Sequence, residues 1–268
     1  MDRFSKICKD IKEIKIQGAE NVAKAALVAY SLKPNASSIK KLISLRKTEP
    51  MVVNALNYAK KHSVDETLKL IKENERKIIE NVVKLIKNGF VVYTHCHSST
   101  VTSILIKAHK FGKKFSVFNT ETRPLFQGRK TAIELAKAGI KTTMIVDDAV
   151  YIALKKADIM LIGADALMQK TALNKIGSGL FAEEAFRHKV PVYIASNSWK
   201  FSKKSVKIEE RNEKEVFDER LKILKVRNPA FEAVPYKFVK GIICELGIIK
   251  PKDLAKKIKK NYLWLLKS

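Results

Sequence analysis

The stretch Val91-Val92-Tyr93-Thr94-His95-Cys96-His97-Ser98-Ser99-Thr100 decides the fold. An apolar, β-rich run, Phe90–Tyr93, stops abruptly at small polar residues, and Ser98 or Ser99 can then cap a helix. A buried strand that leads into a helix places its connecting loop at the carboxyl edge of a parallel sheet, where helix N-termini bind anions. The sequence therefore places Cys96, with a histidine on each side, at the edge where an α/β fold binds its ligand.

Downstream of Gly89 the hydrophobic period changes, and short β-branched or aromatic runs alternate with helical stretches. This alternation is typical of a parallel, Rossmann-like sheet. The predicted strands are Phe90–Thr94, Phe115–Asn119, Thr142–Val146, Ile159–Gly163, Val190–Ala195 and Gly241–Leu246. The predicted helices lie near Val101–Phe111, Lys130–Ala138, Ala149–Ala157 and Leu180–His188, and a last helix starts at Pro251.

Residues 1–88 show only helical periodicity. Ser37-Ser38 is predicted to open the third helix, Ser63 with Glu66 to cap a long one, and Asn88-Gly89 to end it. We therefore predict an α/β protein with an all-helical N-terminal domain followed by a Rossmann-like parallel-sheet domain. The predicted domains are residues 1–88 and residues 89–268, and the second carries most of the site.

The chain has 268 residues and a strong excess of positive charge, with 53 Lys and Arg against 27 Asp and Glu. A net charge of +26 attracts polyanions, nucleic acid included. The lysines, however, are spread along nearly every helix, and no nucleic-acid-binding motif accompanies them. We favour a solvated surface over a nucleic-acid site, which stays the alternative.

The cysteines Cys8, Cys96 and Cys244 are too few and too scattered for a disulfide framework or a zinc site. The N-terminus lacks the pattern of a signal peptide, and no apolar run approaches the length of about 18–20 residues that a membrane span needs. We therefore expect a cytoplasmic protein with free thiols and no membrane contact.

Cys96 is either a small buried hydrophobe or a reactive thiol, and the spacing favours neither. A helix N-terminus beside two histidines would lower the pKa of the thiol and favour the thiolate. His95 and His97 could share a metal, but no third ligand follows at a plausible spacing. We expect hydrogen-bonding histidines and no metal.

Polar residues also follow the next two predicted strands. Arg123, in Glu121-Thr122-Arg123-Pro124, is a natural partner of phosphate or else pairs with Glu121, and Gly128, in Gln127-Gly128, allows close approach to a ligand. Asp147-Asp148 binds sugar hydroxyls or caps a helix, and we favour the cap.

Two further motifs complete the predicted edge of the sheet. In Gly163-Ala164-Asp165, Asp165 can exchange a proton or cap the next segment, and Asn174-Lys175-Ile176-Gly177 offers an amide and a cation to an anionic substrate. No G-x-G-x-x-G follows the first strand, which excludes a nicotinamide dinucleotide. A thiol, a carboxylate, an arginine and a lysine on one edge suit proton transfer on a phosphorylated polyol.

Taken in order, these motifs and Asn228-Pro229-Ala230-Phe231 are similar to one superfamily, over essentially the whole chain. It contains the alpha, beta and delta subunits of eukaryotic translation initiation factor 2B, methylthioribose-1-phosphate isomerase and archaeal ribose-1,5-bisphosphate isomerase. The resemblance implies that Cys96 and Asp165 are the catalytic pair. It implies that the substrate is bound by Gly18, Ala19, Arg46, Arg123, Gln127, Asn174 and Lys175.

The resemblance also implies a homodimer formed through the C-terminal domain, and in some members a hexamer. Translation subunits of the family commonly lack the catalytic pair, so the resemblance predicts a cofactor-independent aldose–ketose isomerase. Its most plausible reaction converts ribose 1,5-bisphosphate into ribulose 1,5-bisphosphate.

Three substitutions separate the chain from the isomerases. Gln17 replaces the Arg before Gly-Ala, Glu20 adds a negative charge beside it, and Lys47 replaces the Pro after Arg46. With these changes the chain is more similar to archaeal proteins that resemble initiation factor 2B. The alternative is therefore a non-catalytic regulatory subunit that senses a phosphorylated sugar or nucleotide or contacts initiation factor 2.

Overall fold

Helices alone occupy the chain before the first strand. The computed structural model describes residues 1–219 and 221–267, so Arg220 and Ser268, which fall in the predicted second domain, lie outside the described residues. The N-terminal helices are α1 (Arg3–Lys12), α2 (Ala19–Leu32), α3 (Ala36–Leu45), α4 (Pro50–Lys61) and α5 (Val64–Val83).

The ends of these helices correct two predictions and confirm one. Helix α3 begins at Ala36, because Asn35 Oδ1 accepts a hydrogen bond from the Ser38 N–H and so caps the helix before Ser37-Ser38. Ser63 Oγ caps α5 as predicted, accepting from the Glu66 N–H at 3.0 Å. The predicted stop at Asn88 is too late, since α5 ends at Val83 and Asn88 Oδ1 instead accepts from the Lys114 N–H in a later loop.

The second part of the chain alternates strands and helices. The strands are β1 (Val91–Thr94), β2 (Ser116–Thr120), β3 (Lys141–Ile145), β4 (Ile159–Ile162), β5 (Ala166–Leu167), β6 (Thr171–Lys175), β7 (Val192–Ala195), β8 (Phe231–Pro235), β9 (Gly241–Cys244) and β10 (Gly247–Ile249). The helices are α6 (Ser99–Lys110), α7 (Gln127–Lys137), α8 (Val150–Leu154), α9 (Ser178–Arg187) and α10 (Leu254–Asn261). A 3₁₀ turn over Pro251–Asp253 precedes α10.

Seven strands form the main sheet, in the order β10-β9-β7-β4-β1-β2-β3. Every neighbouring pair is parallel except β9 and β10. The chain order reverses between β1 and β4, and that position is where open α/β sheets bind ligands. All six predicted strands lie in this sheet, and the predicted fold class is confirmed.

A smaller antiparallel sheet, in the order β5-β6-β8, was not predicted. Its central strand β6 pairs with β8 from Thr171 opposite Pro235 to Lys175 opposite Phe231. These partners are far apart in sequence, and β6 carries no strong alternation of its own. The small sheet brings Asn174 and Lys175 to the edge of the main sheet.

Both faces of the main sheet are covered. Along β4, Met160 and Ile162 belong to the buried cluster that includes Leu27 and Leu56 of the N-terminal helices, whereas Leu161 faces a second cluster. The first cluster contains residues of both the N-terminal helices and the sheet, so it does not separate the chain into two cores. The domain boundary between residues 88 and 89 therefore stays a prediction. None of the described helices is long and apolar enough to cross a membrane.

Candidate active site

A cleft opens at the carboxyl ends of β1 and β4, between the main sheet and the N-terminal helices. Its empty volume is about 860 Å³, the open mouth included. The predicted site residues that line it are Gly18, Ala19, Arg46, Cys96, Gln127, Asp165, Asn174 and Lys175. The fold thus brings together residues from six separate stretches of the chain.

Cys96 occupies the loop that follows β1. Its backbone is left-handed, with φ of 65°, a conformation that non-glycine residues adopt rarely. The Cys96 N–H donates to Thr122 Oγ1 at 3.0 Å, and its carbonyl accepts from Thr131 Oγ1 at 2.8 Å. These two hydroxyls hold the loop so that the thiol faces the cleft.

The Cys96 thiol is not predisposed to ionise, and of the two alternatives that the sequence left open the structure favours the buried thiol. Burial raises its pKa to about 12, which the positive charge of Lys175 opposes only in part. The two histidine rings are neutral and do not counter burial, and only the hydrogen bond from the His97 backbone N–H acts in the same direction as Lys175. Cys96 therefore carries its proton at neutral pH.

The histidines on either side of Cys96 have hydrogen-bonding roles, as expected. His95 is buried, with Nδ1 2.5 Å from Thr120 Oγ1 and Nε2 2.9 Å from the Ile176 carbonyl, and burial lowers its pKa to about 4. A neutral ring that donates from Nε2 and accepts at Nδ1 satisfies both contacts. His97 Nδ1 lies 3.1 Å from Thr131 Oγ1.

Asp165 follows β4 and faces the same cleft. Its N–H donates to the Leu173 carbonyl at 2.8 Å, which ties it to the small sheet. Burial raises the pKa of its carboxyl, against the positive charges of Lys200, Arg46 and Lys175. The cleft therefore holds two weakened acids, a thiol and a carboxyl, after neighbouring strands.

Lys175 and Asn174 end strand β6. Lys175 is buried, which lowers its pKa, and within the described residues no carboxylate lies within 4.0 Å of its ammonium. Asn174 Nδ2 donates to Ser178 Oγ at 2.9 Å at the start of α9. The lysine is thus an unneutralised cation at the cleft wall.

Lys200 is a site residue that the sequence prediction missed. It is buried, lines the cleft and donates from Nζ to the Ala164 carbonyl at 2.7 Å, one residue before Asp165. The sequence could have indicated Lys200, because Ser196–Lys200 follow strand β7 at the same sheet edge as the other site residues.

The backbone around Lys200 is fixed from the N-terminal helices. Asn54 Nδ2, on α4, donates to the Trp199 carbonyl at 2.7 Å and to the Phe201 carbonyl at 3.1 Å. The Trp199 ring is fully buried, 5.0 Å from the Tyr58 ring and 4.9 Å from the Trp264 ring between centroids.

Arg46 lies at the floor of the cleft with a partner that sequence reasoning did not identify. Its Nη2 is 2.5 Å from Glu49 Oε1, and both side chains are buried. Burial raises the Glu49 pKa to about 7, even though Arg46 acts in the opposite direction. Nothing in the local sequence shows that this glutamate is buried.

The N-terminus of α2 also opens on the cleft. Gly18 precedes the helix with φ of 84° and offers no side-chain cap, so the first N–H groups of α2 have no capping partner within the described residues. Glu20 is buried and pairs with Lys24 at 2.6 Å. Its negative charge is therefore offset within the helix.

Arg123 is not brought to the cleft. Its exposed guanidinium donates to the Val216 carbonyl at 3.4 Å and lies over the Phe126 ring. The favoured cap for Asp147 is wrong, because its carboxylate accepts from the Thr122 and Arg123 N–H groups and does not cap the following turn.

Gln127 lines the cleft, and its Oε1 is buried without a partner among the described residues. Gly128 packs against β2, since a Cβ there would lie 1.8 Å from the Thr120 carbonyl oxygen. The glycine therefore serves the close packing of α7 against β2, and the prediction that it lets a ligand approach the backbone is wrong.

One side of the cleft is bounded by the irregular segment before β8. Arg211 donates from Nε and Nη2 to Glu215 at 2.8 and 2.6 Å, and Asn228 Nδ2 donates to Glu215 Oε2 at 3.0 Å. Arg211 lines the cleft. We call Arg211, Glu215 and Asn228 the rim, and Arg46, Glu49, Cys96 and Asp165 the floor.

Comparison with known proteins agrees with the motifs. The family model described as the initiation factor 2 subunit family matches residues 9–251. Ribose 1,5-bisphosphate isomerase of Methanocaldococcus jannaschii is 36% identical over 301 residues, covering 100% of this chain and 98% of the relative. The Archaeoglobus fulgidus protein of the same name is 34% identical over 284 residues, covering 94% and 91%.

A solved structure gives the same result for the fold. The translation initiation factor eIF-2B of Pyrococcus horikoshii OT3 superposes with a TM-score of 0.84 at 28% identity, covering 94% of this chain and 98% of that one. The resemblance drawn from the motifs is confirmed: this chain belongs to the initiation factor 2 subunit family.

Proposed function

We propose that the protein is an aldose–ketose isomerase acting on a ribose 1-phosphate, with ribose 1,5-bisphosphate converted into ribulose 1,5-bisphosphate. The observation that carries the proposal is the pairing of Cys96 and Asp165, two acids of raised pKa, beside the buried cations Lys175 and Lys200. The identity with two ribose 1,5-bisphosphate isomerases over nearly the full chain supports the same substrate.

The chemistry requires a proton donor and a proton acceptor. A sugar phosphorylated at C1 opens its ring only when the ring oxygen is protonated as the bond to C1 breaks. Hydrogen then moves from C2 to C1, and the C2 hydroxyl loses a proton to become the ketone, so that one proton enters and one leaves. Asp165 is the better donor, because a carboxyl is a stronger acid than a thiol whose pKa is about 12.

Cys96 then accepts the proton from the C2 hydroxyl. The thiol's own proton passes at the same time to the Asp165 carboxylate that the first step has left, so both groups end in the protonation states in which they began, and the ammonium of Lys175 is the main group that favours negative charge on the sulfur. Arg46, Lys175, Lys200 and the free N–H groups of α2 hold the phosphates.

The test compares Cys96→Ser and Asp165→Asn with Asp148→Asn, which removes an exposed carboxylate outside the cleft. Each site variant should lose about 10²–10⁴-fold in kcat, the usual contribution of a general acid or base. The control should keep the parent rate of ribulose 1,5-bisphosphate formation. A site variant that turns over at the parent rate contradicts this mechanism.

A regulatory subunit is the second candidate, favoured by Gln17 in place of the isomerases' arginine and by the likeness to the Pyrococcus horikoshii factor. Calorimetric titration with ribose 1,5-bisphosphate, AMP and ribose 5-phosphate separates the two. Binding without turnover, together with salt-resistant capture of the archaeal factor 2 alpha subunit, would favour the regulatory role.

We further propose a homodimer formed through the sheet domain, in the cytoplasm. Exposed apolar side chains on that domain support the dimer, among them Tyr151, Ile152 and Leu180, which are 52%, 58% and 63% exposed. The free thiols Cys8, Cys96 and Cys244 suit a reducing compartment. Sedimentation of Leu180→Glu against the parent chain tests the dimer.

A further inference from the structure

Glu49 is an unusual neighbour for an arginine that is to bind phosphate. The Glu49 N–H donates to the Arg46 carbonyl at 3.2 Å, and Pro50 opens α4 directly afterwards, so a short turn fixes the two residues together. Glu49 is 1% exposed and Arg46 is 8% exposed. A buried carboxylate thus occupies one side of the guanidinium at the cleft floor.

The pair leaves hydrogen-bonding capacity unused. Arg46 Nε and Nη1 are buried without an acceptor among the described residues, and Glu49 Oε2 likewise has no donor. Buried polar groups in native proteins are nearly always hydrogen-bonded, so unused donors at a cleft wall point to an absent acceptor. An oxyanion matches guanidinium donors in geometry and in charge.

We infer that Glu49 is an internal counter-ion that competes with the phosphate of the ligand for Arg46, and that ligand binding is coupled to proton uptake by Glu49. The inference deepens the proposed function, since it takes the cleft to bind a phosphorylated ligand. It makes Glu49 a residue that sets phosphate affinity without touching the reacting carbons.

The charges around Glu49 decide the direction of the coupling. It faces Arg46 on its own turn, Asp165 after β4, Lys200 after β7 and Glu209 on the irregular segment. Burial, Asp165 and Glu209 raise its pKa, Arg46 and Lys200 lower it, and the result is about 7. A phosphate arriving at Arg46 adds negative charge beside Glu49 and raises that pKa further.

The charge of the cleft changes accordingly. With Glu49 ionised, Arg46 is neutralised within the protein, and the phosphate must displace a carboxylate. With Glu49 protonated, Arg46 is free to pair with the ligand. By linkage, phosphate therefore binds more tightly as pH falls through neutrality.

Sulfate is the probe, because it stays a dianion throughout the range of about pH 6 to 8.5, and any pH dependence then belongs to the protein. Calorimetric titration should show affinity falling by up to about tenfold per pH unit above neutrality, as one linked proton requires. Heats measured in two buffers of different ionisation enthalpy should show proton uptake on binding.

Glu49→Gln should bind sulfate about tenfold more tightly than the parent at about pH 8, with a flatter pH dependence and reduced proton uptake. Glu80→Gln is the matched control, because Glu80 pairs with Arg76 at 2.6 Å on an exposed face of α5. It removes the same charge from the same kind of pair away from the cleft, and it should behave as the parent does.

The inference is overturned if the parent binds no sulfate, if binding takes up no proton, or if Glu49→Gln keeps the parent's affinity and pH dependence. If Glu49→Gln does not fold, the inference is tested by whether the unsubstituted protein takes up a proton when it binds sulfate. Failure of the proposed function looks different: sulfate binding would follow the predicted pH dependence while no ribulose 1,5-bisphosphate forms.

Discussion

Arg46 meets Glu49 at the floor of the cleft, and Arg211 meets Glu215 at its rim, yet the two glutamates differ in state. Glu215 accepts from two guanidinium nitrogens and from Asn228, and these contacts lower its pKa. Glu49 has a close arginine, but its carboxylate receives no hydrogen bond from the part of the chain that the structure describes, and burial raises its pKa to about 7. Burial without hydrogen-bond donors therefore raises the pKa of a carboxylate even when an arginine lies beside it.

The same rule applies to the other acids of the floor. Cys96 and Asp165 are both raised in pKa by burial, although lysines lie close to each. The rim is thus a structural ion pair, whereas the floor holds acids whose pKa values are raised by burial. Three measurements sharpen or break this contrast.

The largest expected effect is on Cys96 reactivity. With a pKa of about 12, the thiol should react with iodoacetamide about a thousandfold more slowly than a cysteine peptide at about pH 8, because only the thiolate is nucleophilic. Mass spectrometry of the Cys96 peptide gives the rate. A rate that levels off between about pH 7 and 9 would instead reveal a thiolate and break the contrast.

The next effect concerns the pH dependence of stability. The Glu49 pKa is raised from 4.5 to about 7, so its contribution to stability is complete below about pH 4.5 and is lost as pH rises through 7. The loss amounts to about 3 kcal/mol, at 1.4 kcal/mol for each pKa unit. Glu49→Gln should remove this part of the slope in urea unfolding.

The contribution of Glu215 to stability should depend on pH in the opposite direction, which gives a comparison. Its pKa is lowered, so its contribution is present above the unfolded value and is lost as pH falls through the folded one. Glu215→Gln should therefore flatten the acid side of the stability profile and leave the neutral side unchanged. Equal profiles for the two variants would show that floor and rim do not differ.

The smallest effect is expected at the rim. Asn228→Ala removes the hydrogen bonds to Glu215 Oε2 and to the Asn212 carbonyl, at a cost of about 1 kcal/mol. Hydrogen exchange of the Arg211 N–H, which donates to the Asn228 carbonyl, reports the local opening. Sulfate affinity should stay at the parent value, since Glu215 keeps both contacts with Arg211.

The positions of the site residues on strand ends could be predicted from sequence, but their protonation could not. Cys96 and Asp165 follow β-branched runs, and parallel strands bring such ends to one edge. The sequence left the state of Cys96 open, because the burial that raises its pKa depends on packing between distant segments. Glu49 was missed for the same reason, and Arg123 follows β2 at the expected edge but turns toward Val216.

The hydrogen bonds from Asn54 to the backbone around Lys200 have a consequence for folding. They join residues that are 145 and 147 positions apart in sequence, and the Trp199 ring that they flank also rests on Trp264 near the chain end. Contacts of such long range form only after the chain has paid the entropy of closing large loops. The position of Lys200 therefore depends on contacts that carry the loop-closure cost of bringing distant parts of the chain together.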